Sequence, residues 1–475
     1  MPSDPVPVTT VEEMDYDDLA WDASDRVFDR WKTEKLLTEP PLRQIGRLID
    51  KWHGGVPAEL CHPGKGAFNV WMRMKFTDGS SAVARVPIPG KTMFPEEKIE
   101  REVAVMRFLQ TCTTIPVPYV LHYGPAEENP SGMGPFIIME YINHESDMVD
   151  VLNTPGLTRR DRPILNPAIP DNNLRAAYSQ MASILLQLYK HPFSAIGSIS
   201  KTARDDDFDD RWEVRHRPLT LNMNELVQLG GVSPSSLPTK PFQTSDSFYL
   251  ALAEMHMAHL ASQRNEAISS AEDCKHKYIS RCLFRKLARE KRLSVTDPSG
   301  PFRLFCDDFR PANVLVDGHI KLSGAVDWEF TYSAPADFAH TPPFWLLMEL
   351  PELWPRGLDD WTNTYEARLP VFLDVLREQE ENALCRGILQ ERQSLAERMK
   401  QSWEAGDFWV NYAARRSWAF DLIYWRKIDR RFFGAGGIED RLKLLTLEER
   451  AGMDGFIEKK MKEKAEHTLP LWPPE

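Results

Sequence analysis

The sequence contains no CxxC pair, no long apolar run, no basic stripe and no complete GxGxxG motif. Each absence removes a class of protein. Six cysteines, Cys61, Cys112, Cys274, Cys282, Cys306 and Cys385, lie too far apart to begin a zinc site or a redox pair, which points to a reducing, intracellular setting. The most apolar stretch near the middle, Phe344 to Met348, is much shorter than the roughly 20 residues of a membrane helix, so no membrane span is expected. The acidic N-terminus, MPSDPVPVTTVEEMDYDDLAWD, has neither a signal-peptide core nor an Arg-rich amphipathic presequence, and a cytoplasmic location is expected. Lys and Arg number 58 against 70 Asp and Glu, and they are scattered, which argues against nucleic acid as a partner. A net charge of -12 leans toward a cationic small molecule without choosing one. No repeat of 20 to 50 residues and no low-complexity linker divides the chain. No pattern reports an oligomeric state.

What is present is a change of texture along the chain. From Gly64 to Val86 the pattern alternates, with FNVWMRMKF and SAVARVPI joined by a turn at Asp78-Gly79, and predicts a β-hairpin. Pro95 and Glu96 can open the helix that follows, with Val103, Met106 and Leu109 on one face. GPFIIMEYI then reads as a buried strand ending in a connector. Beyond it the helical period dominates: Phe248, Leu252, Met255 and His259 share a face, as do Trp418, Leu422, Trp425, Ile428 and Phe432. These shifts divide the chain into an N-terminal extension at 1–41, a sheet-rich unit at 42–143, an α-rich unit at 144–434 with a helical insert at about 147–303, and a tail at 435–475.

The chemistry concentrates in RLFCDDFRPANVLVDGHIKLSGAVDWEF, where Asp308 is followed five residues later by Asn313 and fourteen after that by Asp327. Phosphoryl transfer asks for an aligned acceptor hydroxyl, a metal bridging the phosphates and neutralised charge. Asp308 suits the first task as a base. The Asn313 amide oxygen and the Asp327 carboxylate are hard oxygen ligands suited to Mg2+.

On these residues the sequence resembles the aminoglycoside phosphotransferase family. CDDFRPAN is similar to its HGDLHPGN catalytic loop and AVDWEF to its IDWE metal-binding segment, with protein kinases as wider relatives. The run including DFWVNYAARRSWAFDLIYWRKIDRRFFG is similar to the aminoglycoside phosphotransferase-like proteins of filamentous fungi. The resemblance implies an α+β, two-lobed protein kinase-like fold, with a small antiparallel-sheet lobe carrying one main helix and a larger α-rich lobe. It implies ATP as cofactor, covered by Gly64, Gly66 and Asn69 of GKGAFN. Arg85 of the third strand and Glu102 of the helix would form the phosphate clamp, and the Glu140 and Ile142 backbone would meet adenine.

Departures from the family pattern matter as much. Arg85 stands where kinases carry Lys, keeping charge but changing geometry. Cys306 replaces the loop His and reads as a packing residue. Asp307 replaces Gly beside the base and either raises the Asp308 pKa by repulsion or points to solvent. Arg310 matches the place of a phosphoryl-steadying Lys in protein kinases, or is a surface residue of an Arg-Pro turn. His256 and His259 lack a third ligand and read as core or surface histidines, the acidic run Asp205 to Asp210 as a solvated loop, and Asp337 as a helix N-cap. The expectation is therefore an ATP- and Mg2+-dependent kinase for a hydroxyl of a small molecule. A catalytically silent nucleotide-binding module is the competing reading.

Overall fold

The computed structural model describes residues 13–158, 160–202 and 211–474. Two helices precede the first strand: α1, Asp18–Trp31, and α2, Glu39–His53. The Asp17 carboxylate caps α1 by accepting the Ala20 N–H at 3.0 Å, and Pro residues occupy the first turn of α2, where no backbone donor is needed. The strands β1 (Pro57–Leu60), β2 (Gly64–Lys65), β3 (Asn69–Phe76) and β4 (Ser81–Pro87) come next, then helix α3 (Pro95–Cys112), β5 (Val120–Gly124) and β6 (Phe136–Glu140). They form one antiparallel sheet in the order β1-β3-β4-β6-β5, with β2 paired to β3. The β3–β4 turn is closed by Asp78, whose carboxylate accepts the Ser80 N–H at 2.9 Å, and by Gly79 at φ 88°, a left-handed conformation cheap only for glycine.

Strand alternation gives this sheet two different faces. Met72, Ala82, Ala84, Val86, Phe136 and Ile138 pack with Phe28, Trp31, Ile45 and Ile49 of the first two helices. Residues 18–41, read from the sequence as an extension, thus supply core to the small lobe. On the opposite face Val83, Ile137 and Met139 join α3 and a core that continues into the second lobe. Arg85 shares the parity of Val83 on β4, so it faces α3 and the cleft.

The second lobe holds β7 (Ser146–Asp147), α4 (Met148–Leu152), α5 (Asp171–Lys190), β8 (Pro192–Phe193), β9 (Ser198–Thr202), β10 (Arg211–His216), α6 (Leu221–Leu229), α7 (Ser245–Ser262) and α8 (Ala271–Arg289). After these come β11 (Phe302–Cys306), β12 (Val314–Val316), β13 (Leu322–Ala325), β14 (Thr331–Ala334), α9 (Ala336–Ala339), α10 (Gly357–Cys385), α11 (Leu395–Ala405) and α12 (Asp407–Arg415). Small antiparallel sheets, β14-β11-β8 and β13-β12-β7, frame the acidic loop, and helices surround them. The architecture is α+β and two-lobed, the protein kinase-like fold.

Side chains singled out from the sequence find structural roles here. His256 and His259 are fully buried on α7; His259 meets the Gln263 carboxamide at 2.8 Å, and burial holds the His256 imidazole down at about 3. Asp337 does not cap its own helix, which begins at Ala336 with Pro335 in the N-cap position. Its carboxylate instead accepts from Ser294 Oγ (2.8 Å), the Val295 N–H (2.9 Å) and Thr296 Oγ1 (2.5 Å), anchoring the segment before β11. The C-terminal tail is tied down as well: buried Lys460 on the last helix, Leu447–Glu466, bonds to the Gln263 carbonyl, and Trp472 Nε1 donates to the Gln228 carbonyl at 2.8 Å. The Asp205 to Asp210 run lies outside the described residues. Among those described, no helix is long and apolar enough to cross a membrane.

Candidate active site

Asp308 follows β11 in a loop that the hairpin β12–β13 folds back upon. Asn313 is buried and its Nδ2 donates to the Asp308 carbonyl at 2.8 Å, while the Asn313 carbonyl accepts the Val326 N–H at 2.9 Å. One residue, through its side chain and its backbone carbonyl, thereby couples the loop to the segment carrying Asp327. Its amide oxygen is left for another partner. Asp327 adopts φ 61°, an uncommon conformation for a residue with a Cβ, and its side chain keeps 36% exposure. Trp328, buried behind it, donates Nε1–H to the Ala325 carbonyl at 3.1 Å and stacks on Phe309. The free Asn313 amide oxygen and the partly exposed Asp327 carboxylate are hard-oxygen donors of the kind Mg2+ takes.

Asp308 is the perturbed group of the set. Burial is the largest influence on it; Arg310, whose Nε lies 3.1 Å from the carboxylate, pulls the other way, and Asp327 and Glu329 add to the burial effect. The carboxyl is pushed up to about 6. Asp307, by contrast, turns away from the base. It is 7% exposed, accepts the Leu221 N–H at 3.2 Å and the Tyr332 hydroxyl at 3.3 Å, and lies 3.6 Å from the Arg415 guanidinium. It is neither the repelling neighbour nor the solvent-facing carboxylate expected from the sequence. Cys306 packs as expected, with Sγ 3.7 Å from the Glu329 carbonyl and burial pushing its thiol up. Asp307→Gly, which restores the family's loop residue, is expected to lower unfolding free energy by about 1–3 kcal/mol in urea titration, because Leu221 N–H and Arg415 lose a buried acceptor.

The roof of the cleft is a chain of buried charges. Arg85 is paired with Glu102 on α3 and with Asp327, and its Nη2 lies 3.3 Å from Glu329. Lys98, one turn before Glu102 and 1% exposed, bonds to Glu329 and to Asn69 Oδ1 (2.5 Å), and Asn69 Nδ2 donates to Glu329 at 2.9 Å. Burial drives the Glu102 carboxyl upward against Arg85 and Lys98. For Glu329 burial acts upward too, but Lys98 and then Arg85 outweigh it and the carboxyl sits below its ordinary value. Lys98 and Glu329 escaped the sequence reading; the only hint was their spacing from Glu102 and Asp327.

The remaining expected nucleotide contacts divide. Asn69 has both amide atoms engaged by Lys98 and Glu329, so it braces the cleft instead of facing it. Gly64 is where Trp71 lies across the loop, since a Cβ there would sit 2.2 Å from that ring. Gly66 closes the turn through its N–H to the Asn69 carbonyl at 2.8 Å. Phe68 at the tip packs edge-on against Phe330, 5.4 Å between centroids, bringing the loop down over the cleft. At the connector, the Glu140 N–H is taken by the Tyr119 carbonyl (2.9 Å) and the Ile142 carbonyl faces His144 Nδ1 (2.8 Å). The Ile142 N–H has no hydrogen-bond partner among the described residues.

A buried ion-paired roof thus stands over an Asp, Asn, Asp floor. A sequence model of the phosphotransferase enzyme family, APH, matches residues 69–369, and the chain belongs to that family. It is 26% identical over 282 residues to "Altered inheritance of mitochondria protein 9, mitochondrial" of Clavispora lusitaniae, covering 52% of this chain and 44% of that protein. It is 24% identical over 288 residues to "Clavilactone A biosynthesis cluster protein Y" of Ampulloclitocybe clavipes, covering 58% and 62%. The chain thus spans about half the length of the relatives it matches. Among solved structures it is similar to a thermostable mutant of aminoglycoside phosphotransferase APH(4)-Ia in complex with AMP-PNP and hygromycin B, at 13% identity and TM-score 0.40 over 88% of this chain and 97% of that one. A Plasmodium vivax ethanolamine kinase aligns at 13% identity and TM-score 0.35, covering 87% and 82%.

Proposed function

We propose that this chain is an ATP-dependent kinase for a hydroxyl group of a small molecule. The observation that carries the proposal is Asp308: a carboxylate raised to about 6, within reach of Arg310, on a loop that Asn313 couples to Asp327. Bound MgATP would supply the transferable γ-phosphoryl group, with ADP as the leaving group of the broken P–O bond. Asn313 Oδ1 and Asp327 would hold the metal. Asp308 takes the acceptor's proton as the acceptor oxygen forms its new bond to phosphorus. Arg310 steadies charge at the same carboxylate, and Arg85, oriented by Glu102, would supply positive charge toward the phosphates.

Because the base acts only when ionised, turnover should rise with pH through about 6 and fall about tenfold per unit below it. A pH profile of the maximal rate measures this. A profile flat from about 5 to 8 would remove Asp308 from the base role.

One observation favours the silent-module reading. Arg85 is already satisfied by Glu102, Asp327 and Glu329, so metal binding at Asp327 must compete with an ion pair. Thermal-shift titration with MgATP, followed by assay for ADP production with hydroxylated acceptors, separates the two: both readings predict a shift, and only the first predicts turnover.

A further inference from the structure

Helix α6 is attached to both lobes at once. On the second lobe its Leu221 N–H donates to Asp307 at 3.2 Å, its Asn222 side chain accepts the Ser417 N–H at 3.1 Å, and Met223, Leu226 and Val227 enter the core. Two residues after Asn222 the helix has turned to another side. There the fully buried Asn224 accepts the Met93 N–H at 2.8 Å and donates Nδ2–H to the Lys91 carbonyl at 2.9 Å. One turn later Gln228 donates to Ser24 Oγ (3.1 Å), which itself donates to the Gly90 carbonyl (2.7 Å). Gly90, at φ 86°, lets α1 come this close, since a Cβ there would lie 2.5 Å from the Ser24 carbonyl oxygen. Just before α6, Arg217 forks onto Glu97 in the first turn of α3, at 3.0 and 2.7 Å, and its guanidinium lies over the Phe94 ring.

The place of these ties decides what they do. β4 and β6 are antiparallel, with Ala82 opposite Glu140 and Arg85 opposite Ile137. The chain therefore leaves β6 for the connector at one end of the sheet and leaves β4 for residues 88–94 at the other. Ala82 to Pro87 spans about 17 Å of strand. Two lobes joined only at a connector can close by rotation about it. A second attachment that far from the connector removes the rotation, because opening would have to break the buried hydrogen bonds to Lys91 and Met93.

We propose that α6 is an interlobe bolt, and that Asn224 and Arg217 are positioning residues that hold the roof of the cleft over its floor before any nucleotide is bound. One end of the bolt fixes Asp307, beside Asp308. The other fixes the leading segment of α3, whose Glu102 pairs with Arg85. Nucleotide thus enters a cleft already at its working width instead of drawing the lobes together. The nucleotide part of this inference rests on the kinase reading; the bolt itself does not.

Hydrogen exchange of the full chain reads the bolt directly, because the Met93 N–H is one of its bonds. Without ligand, residues 90–94 should exchange at rates like those of the α3 core, and MgATP should add no protection there. Asn224→Ala should speed exchange at 90–94 by about tenfold or more, with β11 and α8 left at wild-type rates. Arg217→Gln, at a half-buried position, should act in the same direction and serves if Asn224→Ala does not fold. MgATP should then restore the lost protection in the variants, which a mere packing defect would not allow. Fast exchange at 90–94 in the ligand-free wild type, protection gained there by the wild type with MgATP, variants that exchange like wild type, or variants that bind MgATP without regaining protection would each overturn the proposal. Variant-sensitive exchange in a wild-type chain and variants that show no MgATP thermal shift would uphold the bolt and overturn the kinase reading instead.

Discussion

Asp308→Asn is expected to reduce turnover by about 10^2–10^4-fold while leaving the fold and MgATP affinity close to wild type. The substitution preserves size, and the contact from Asn313 is to the Asp308 backbone carbonyl, so the loop keeps its tie to the Asp327 segment. What it removes is the proton acceptor and the partner of Arg310 at 3.1 Å. The loss corresponds to about 3–5 kcal/mol of transition-state stabilisation. The pH dependence should vanish along with the rate, because the group that titrates near 6 is gone. Parallel measurement of maximal rate, pH profile and MgATP thermal shift checks all three. A variant that retains most of its rate would move the base elsewhere.

The second large effect concerns stability. Lys98→Met is expected to lower unfolding free energy by about 3–5 kcal/mol, since it strands the buried Glu329 carboxylate and removes a donor to Asn69. Glu329 retains the Asn69 amide at 2.9 Å and Arg85 at 3.3 Å, which places the cost toward the lower end of that range. Lys98→Met combined with Glu329→Leu should recover part of the loss, because an apolar pair of similar volume avoids the desolvation that the ion pair must overcome. Urea titration of the two variants against wild type gives both numbers. Equal destabilisation by the single and double variants would mean that the packing of Lys98, and not its charge, supports the roof.

These two residues also mark how far the sequence could be read. Asp308, Asn313 and Asp327 are legible because their spacing is set locally, by a loop and a hairpin whose strands alternate in plain view. The orientation of Arg85 follows from the two-residue period of β4. Lys98 is different. In EEKIERE it looks like one member of a solvated charge run, and only the tertiary approach of Glu329 and Asn69 makes it a buried cation. Asp307 was misjudged for a related reason: adjacent residues in a chain need not point at one another, and its partners come from α6, β14 and α12. The N-terminal residues 13–53 carry no motif, yet they supply core to the small lobe. Their role is set by long-range packing, which composition does not encode.

The most direct test of the kinase reading is a single-turnover assay with γ-labelled ATP, Mg2+ and a pool of hydroxylated small molecules, run on wild type and on Asp308→Asn. Label should pass from ATP to an alcohol phosphate with the wild-type chain and fail to pass with the variant, although both bind MgATP. Binding of MgATP without transfer by the wild type, or equal transfer by the two chains, would contradict it.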